Sequence, residues 1–260
     1  MKLLDHFSQS GDIFFRLRSY LPLLLLPAFL LALHDPPAVT GAWRAMLEAA
    51  AFLLSLFGLA IRIFTIGSAP PGTSERSTRD PRASLLNTRG PYSVVRHPLY
   101  LGSTIVALGL AVFTLTWYMP VIVILAGLLY HERICAREEV FLESRFGDEF
   151  RMWAGRVPAL IPALGRYEPS AGRFRWKKVF GREFHGLFVI GSSFYVLDGI
   201  RQFFAIGRWA PDRTWAALFV VTGAIFVGLT LLKKTTRVLA ISESPLPPRA
   251  RNSRYPIAGM

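Results

Sequence analysis

Two short polar clusters carry most of the residues able to do chemistry in this 260-residue chain. The first reads Gly90-Pro91-Tyr92-Ser93-Val94-Val95-Arg96-His97-Pro98-Leu99-Tyr100. The second opens with Glu138-Glu139, continues through Phe146-Gly147-Asp148-Glu149-Phe150, and ends at Val157-Pro158 and Ile161-Pro162. An arginine, a histidine and two adjacent glutamates beside apolar segments cost desolvation energy unless they are paired or used. Arginine and backbone N–H groups suit a carboxylate, and glutamate suits an ammonium. Together the clusters have the donors and acceptors for a zwitterionic ligand flanked by apolar and aromatic walls. Neighbouring helical residues point about 100° apart, so Glu138 and Glu139 are not expected to face one site equally. The bland alternative is a solvated face in which they pair with Arg137 and Arg145.

Other groups rank lower. His131, Cys135 and Glu138 share a helical face by spacing, but no His-Glu-x-x-His is present and a metal site is not expected. Cys135 is the single cysteine, which excludes a disulfide framework and leaves it a packing residue. Asp198 and Arg201, three residues apart in an apolar block, read as a mutual pair.

The elements that must position these clusters are long apolar blocks. A spanning helix needs about 20 mostly apolar residues. Candidates cover residues 20–34, short and interrupted by Pro22 and Pro27, and residues 43–66, rich in small side chains. Residues 99–130 are almost uncharged, too long for one span, and read as a tight helical hairpin turning at Trp117-Tyr118-Met119-Pro120. A charged helix is expected over 131–153, then apolar blocks over 184–206 and 215–232. A hairpin returns to the face it left, so the clusters before and after it can meet. The expected fold is therefore all-α: a polytopic integral membrane protein of about six transmembrane helices, with a central hairpin flanked by site motifs.

The chain holds 30 Lys+Arg against 17 Asp+Glu. Those charges lie between apolar blocks, which points to loops facing anionic headgroups and excludes a nucleic-acid partner. The basic residues concentrate in the N-terminus, the 67–98 and 131–182 stretches and the C-terminal tail, whereas 35–42 and 117–120 hold none. Both termini are accordingly expected in the cytoplasm, with the connection carrying Arg208 and Arg213 as the exception. The first charged residues extend too far for a cleaved signal peptide, so the first apolar block is read as a retained anchor. The Pro- and Arg-rich stretch from residue 233 reads as disordered. Arginine-heavy usage fits a bacterial inner-membrane protein.

The run GPYSVVRHPLYLG, the apolar hairpin, and REEVFLESRFGDEFRMWAGRVPALIP together resemble the isoprenylcysteine carboxyl methyltransferase family, part of a wider phospholipid methyltransferase-like membrane group. The resemblance covers residues 87–163. It implies S-adenosylmethionine as cofactor and a methyl acceptor that is a lipid or lipidated molecule. Arg96, His97, Pro98 and Tyr100 match the family's Arg-His-Pro-x-Tyr signature, expected over the cofactor. Glu138 and Glu139 match its Glu-Glu pair, Gly90, Pro91 and Tyr92 its approach loop, and Arg156, Val157 and Pro158 its returning segment. Catalytic roles are expected for Arg96, His97 and Glu139. Cofactor contacts are expected from Tyr92, His97, Pro98, Tyr100, Glu138 and Glu139.

The resulting division is 1–66 for N-terminal helices, 67–165 for a methyltransferase-like core, 166–232 for a basic connector and extra hairpin, and 233–260 for the tail. About a hundred residues follow the core, unlike the family pattern, in which the core lies near the C-terminus. Two other readings compete. One is a membrane reductase using a nicotinamide cofactor, with the basic 166–182 stretch for its phosphates. The other is a lipid-binding protein without activity.

Overall fold

A computed structural model describes residues 21–36, 38–70, 85–170 and 172–235. The expectations for the N-terminal charges, most of the 67–88 connection and the tail beyond residue 235 fall outside them. The described residues form eight α-helices and no strand. In chain order they are α1 (Leu26–His34), α2 (Gly41–Ser68), α3 (Pro98–Phe113), α4 (Tyr118–Phe146), α5 (Asp148–Arg156), α6 (Trp176–Arg182), α7 (Phe184–Ile206) and α8 (Arg213–Thr235). Three of these, α2, α4 and α8, are long and apolar enough to cross a membrane, while α1 with its preceding turn and α3 are shorter apolar helices. Large side chains such as Leu53, Phe57, Leu125, Leu129, Val220 and Val227 stay exposed along the three long helices. An exposed apolar girdle on helices of this length defines an all-α integral membrane protein.

Each apolar block of the sequence contains a helix, but three boundaries differ from expectation. The block at 20–34 begins as a 3-10 turn (Leu21–Leu25) before α1, with Pro27 in the first helical turn where its missing N–H is harmless. The hairpin turns at residues 114–117, earlier than Trp117–Pro120. Thr114 Oγ1 donates to Ala111 O at 2.8 Å and meets Thr116 Oγ1 at 2.8 Å, closing the turn, while Pro120 lies inside the first turn of α4. The charged helix does not begin at 131. α4 runs unbroken from the apolar arm into the charged segment, because polarity changes there without any helix breaker. It stops at Gly147, whose φ of 53° a side chain would resist.

Two antiparallel pairings set the frame. Along α2 and α3, Ser55 Oγ donates to Val106 O at 3.0 Å and Arg62 Nη1 donates to Ser103 Oγ at 2.7 Å, so rising numbers on one helix meet falling numbers on the other. The backbones touch between these points. A Cβ on Gly58 would lie 2.6 Å from Gly102 O, and one on Gly102 would lie 2.8 Å from Gly58 O. Small residues thus let two helices approach where apolar burial gives no drive in lipid. In the other pairing, α7 and α8 zip through Phe188–Phe226 and Tyr195–Phe219, with ring centroids 4.7 Å apart in each pair.

The extra C-terminal hairpin shares a core with the rest. Ala51 of α2, Phe113 of α3, Ile190 and Phe194 of α7 and Trp215 of α8 form one buried cluster. Asp198 and Arg201 pair as expected, and the pair extends further: Arg201 also reaches Glu48 Oε1 on α2 at 2.8 Å and lies 4.8 Å over the Phe113 ring. Asp198 Oδ2 accepts from the Asp212 N–H at 2.6 Å.

Gly58→Ala is expected to lower stability by about 1–3 kcal/mol, since a Cβ there strikes backbone rather than a movable side chain. Gly228, with nothing within 4 Å of its ideal Cβ, is expected to accept Ala with no loss. Thermal unfolding of both variants in detergent checks the contrast.

Candidate active site

The two polar clusters meet at one end of the α3–α4 hairpin. Pro98 opens α3 at its first position and is buried, which fixes the preceding Arg96 and His97 at the helix mouth. About six helical turns into α4, its charged extension carries Glu138 and Glu139 past that mouth. Arg96 Nη1 donates to Glu139 Oε2 at 2.6 Å. His97 Nε2 lies 2.9 Å from Glu139 Oε1, and its Nδ1 lies 3.6 Å from Glu138 Oε2. Tyr100 donates its hydroxyl to Glu138 Oε1 at 2.5 Å. Both glutamates therefore face the site, although their helical positions were not expected to let them face it equally. His97 sits between them, and two long side chains converge across the angle that separates their Cβ bonds.

The loop before α3 is held from the other side. Trp153 of α5 donates its indole N–H to Tyr92 O at 3.0 Å, within a cluster of Leu86, Phe150, Trp153 and Val157 on which Tyr92 packs. The segment after α5 returns to the signature, as the family resemblance implied: the Arg96 N–H donates to Pro158 O and the Ala163 N–H to Val94 O, both at 2.9 Å. Gly90 N–H donates to Glu168 O at 2.8 Å, and Ser93 Oγ accepts from the Glu168 N–H at 2.8 Å. The Gly90 φ of 63° strains any residue with a side chain, and a Cβ there would have to displace the Ser170 hydroxyl.

The charges balance: one arginine, one histidine and two carboxylates. His97 is 7% exposed. Burial opposes its protonation, but the adjacent Cys135 thiol, Glu138 and Glu139 outweigh burial and hold its pKa well above the usual 6.5. This direction favours the imidazolium, in which both ring nitrogens donate. The side chains of Arg96, Glu138 and Glu139 remain 19–25% exposed, so the cluster is reachable from one side. Arg96 Nε is buried with no acceptor among the described residues.

Of the site's neighbours, His131 was weighed from sequence only within the metal alternative, and Arg62 was not singled out. His131 stacks on Tyr100 at 5.1 Å and meets Thr104 Oγ1 at 3.1 Å, lining the site. Among the described residues no three His, Cys, Asp or Glu groups come together as a possible metal set. Arg62 of α2 holds the first two turns of α3 through Leu99 O and Ser103 Oγ, and pairs through two nitrogens with Glu183 at 2.8 and 2.9 Å. Its signal was present, an arginine deep in the apolar run of α2, where ionisable residues are seldom idle.

A helical membrane protein with a charged site at the mouth of an apolar hairpin is the class that fold and geometry define. Within it, residues 71–149 match the family model described as phospholipid methyltransferase. Over 82 residues the chain is 39% identical to the cobalt-zinc-cadmium resistance protein CzcN of Cupriavidus metallidurans, covering 32% of this chain and 38% of that protein. It is 34% identical over 90 residues to the nickel-cobalt-cadmium resistance protein NccN of Alcaligenes xylosoxydans xylosoxydans, covering 35% and 42%. It is 34% identical over 80 residues to the protein-S-isoprenylcysteine O-methyltransferase of Schizosaccharomyces pombe, covering 31% and 34%. The resemblance of the central motifs to the isoprenylcysteine methyltransferase group is thereby shown. The chain spans less than half the length of each of these relatives. No solved structure matches it.

A histidine whose folded pKa is raised contributes its full stabilisation below its unfolded value of about 6.5, and loses it as pH climbs through the raised value. Wild-type thermal stability in detergent is therefore expected to decline from about pH 6.5 upward, and the gap to His97→Gln to narrow in step. A gap that stays constant to alkaline pH contradicts the ion-paired imidazolium.

Proposed function

We propose that this protein is a membrane-embedded methyltransferase that uses S-adenosylmethionine at the cytoplasmic face. The observation that carries the reading is the meeting of Arg96, His97 and Tyr100 with Glu138 and Glu139 at the hairpin mouth. Paired charges of both signs, still partly open, suit the amino-acid end of the cofactor. Arg96 retains a buried donor, Nε, for a carboxylate. Glu138 and Glu139 supply acceptors for an ammonium, and Tyr92, Pro98, Tyr100 and His131 supply walls. When bound, the cofactor provides a sulfonium methyl that is lost by direct displacement.

The chain's own part is alignment and exclusion of water. His97, as an imidazolium, is a donor that orients Glu139. It is not free to accept a proton. A carboxylate or phosphate acceptor needs no base, and an amine acceptor would pass its proton to Glu138 or Glu139. Catalytic duty is assigned to Arg96, His97 and Glu139, and cofactor contact to Tyr92, His97, Pro98, Tyr100, Glu138 and Glu139. The exposed apolar flanks of α2 and α4 support a lipid or lipidated acceptor entering from the bilayer. Clustering of the site with the C-terminal end of α2 and the basic 166–182 stretch supports the cytoplasmic placement, with both termini on that side and a bacterial inner membrane as the setting.

Calorimetry on detergent-purified protein tests this. Micromolar binding of S-adenosylmethionine and S-adenosylhomocysteine is expected. Arg96→Ala and Glu139→Gln are each expected to weaken it about 10- to 100-fold, the loss of one charged hydrogen bond. Failure of wild type to bind either compound, with binding of a nicotinamide dinucleotide instead, sinks the methyltransferase reading in favour of a reductase.

A further inference from the structure

Helix α6 lies outside the candidate site, and the function proposed above gives it no task. It sits where three long helices end together. The Arg175 N–H donates to Gly67 O at the end of α2, and Lys178 Nζ reaches Ala69 O at 3.4 Å. Phe184 begins α7 directly after it. Lys233 Nζ, in the last turn of α8, donates to Gly181 O at 3.2 Å. Since α2 and α8 are long and apolar enough to cross a membrane, α6 lies at the depth where hydrocarbon gives way to headgroups.

Its outward surface has the composition of that boundary. Trp176 and Phe180, four residues apart and 60% and 44% exposed, stack at 6.2 Å. Phe174 packs on Trp176 at 4.6 Å and stacks on Phe64 of α2 at 6.4 Å. Phe64 is itself 44% exposed on a candidate span. A continuous aromatic strip therefore runs from the lipid-facing side of α2 onto α6. Exposed cations, Arg173 and Lys177, flank it. Glu183, at the C-terminal end of α6, is paired with Arg62. Aromatic rings at headgroup depth with cations beside them match an acyl chain below and an anionic phosphate above.

We propose that Arg173, Lys177 and the Phe64–Phe174–Trp176–Phe180 strip form a docking site for an anionic phospholipid. The phosphate is held by Arg173 and Lys177, and an acyl chain lies along Phe64. The site stands independently of the methyl-transfer reading, because none of its residues belongs to the candidate active site.

The test uses the full chain, delipidated in detergent, with melting followed as phosphatidylglycerol, phosphatidylcholine or inorganic phosphate is added. Phosphatidylglycerol is expected to raise Tm by about 5 °C, and the other two to raise it little. The rise should vanish in Arg173→Glu/Lys177→Glu and in Trp176→Ala/Phe180→Ala. It should persist in Arg208→Glu/Arg213→Glu, a charge-matched pair of exposed residues at the opposite end of the helices. An equal rise with phosphatidylcholine, an equal rise with inorganic phosphate, survival of the effect in the α6 variants, or its loss in the control pair would each overturn the proposal. Cofactor calorimetry on Arg173→Glu/Lys177→Glu separates the two readings: lipid dependence lost with S-adenosylmethionine affinity unchanged is the expected pattern.

Discussion

The structure depends on one local arrangement: two cations from the mouth of α3 enclosed by two carboxylates from the charged extension of α4. Next to a bilayer, none of these groups tolerates solitude. Removing one partner of a buried ion pair costs about 3–5 kcal/mol because the other is left uncompensated, and a partly open cluster such as this lies toward or below the low end. That penalty fixes the rotation and register of α4 on α3. A shift of one residue would turn Glu139 by about 100° and leave Arg96 and His97 facing apolar surface. The same arrangement makes the site chemically distinctive, since it concentrates balanced charge at one point while leaving each group partly reachable.

Everything around the cluster acts to hold it in place. The returning segment fixes the backbone of Arg96 and Val94 through Pro158 and Ala163. From α2, Arg62 grips the first two turns of α3 and passes the restraint to Glu183 at the head of the C-terminal hairpin. At the far end, Arg201 joins α7 to Glu48 of α2, and Phe113, Phe194 and Trp215 share one core. The C-terminal hairpin is thus bound to α2 at both ends. Its helix α7 carries buried charge that an isolated span in lipid would find costly.

Much of this was legible in the sequence. Long uncharged runs reveal helices in a membrane because every backbone polar group there must be satisfied within its own segment. The return of a hairpin to its own side brings Arg96 and Glu139 together without further information. What stayed hidden depends on side-chain reach and on continuity. The angular argument separated Glu138 from Glu139, yet both long side chains bend to His97. The change of polarity near residue 131 looked like a helix start, whereas backbone hydrogen bonding ignores polarity and continues to Gly147. The turn slid to Thr114–Trp117 because two threonine hydroxyls close it, a short-range contact that hydropathy does not register. Arg62 was visible as a charge deep in the apolar run of α2, but its partner Glu183 lies 121 residues away, and nothing in either segment names the other.

The central claim, that Arg96 and Glu139 act as one unit across the hairpin, is tested most directly by a double-mutant cycle. Unfolding free energies would be measured in detergent for wild type, Arg96→Met, Glu139→Gln and the double variant. The arrangement predicts a coupling energy of about 0.5–3 kcal/mol, with the double variant losing less than the two single losses combined. Strictly additive losses would mean that the residues do not meet, and would contradict the account.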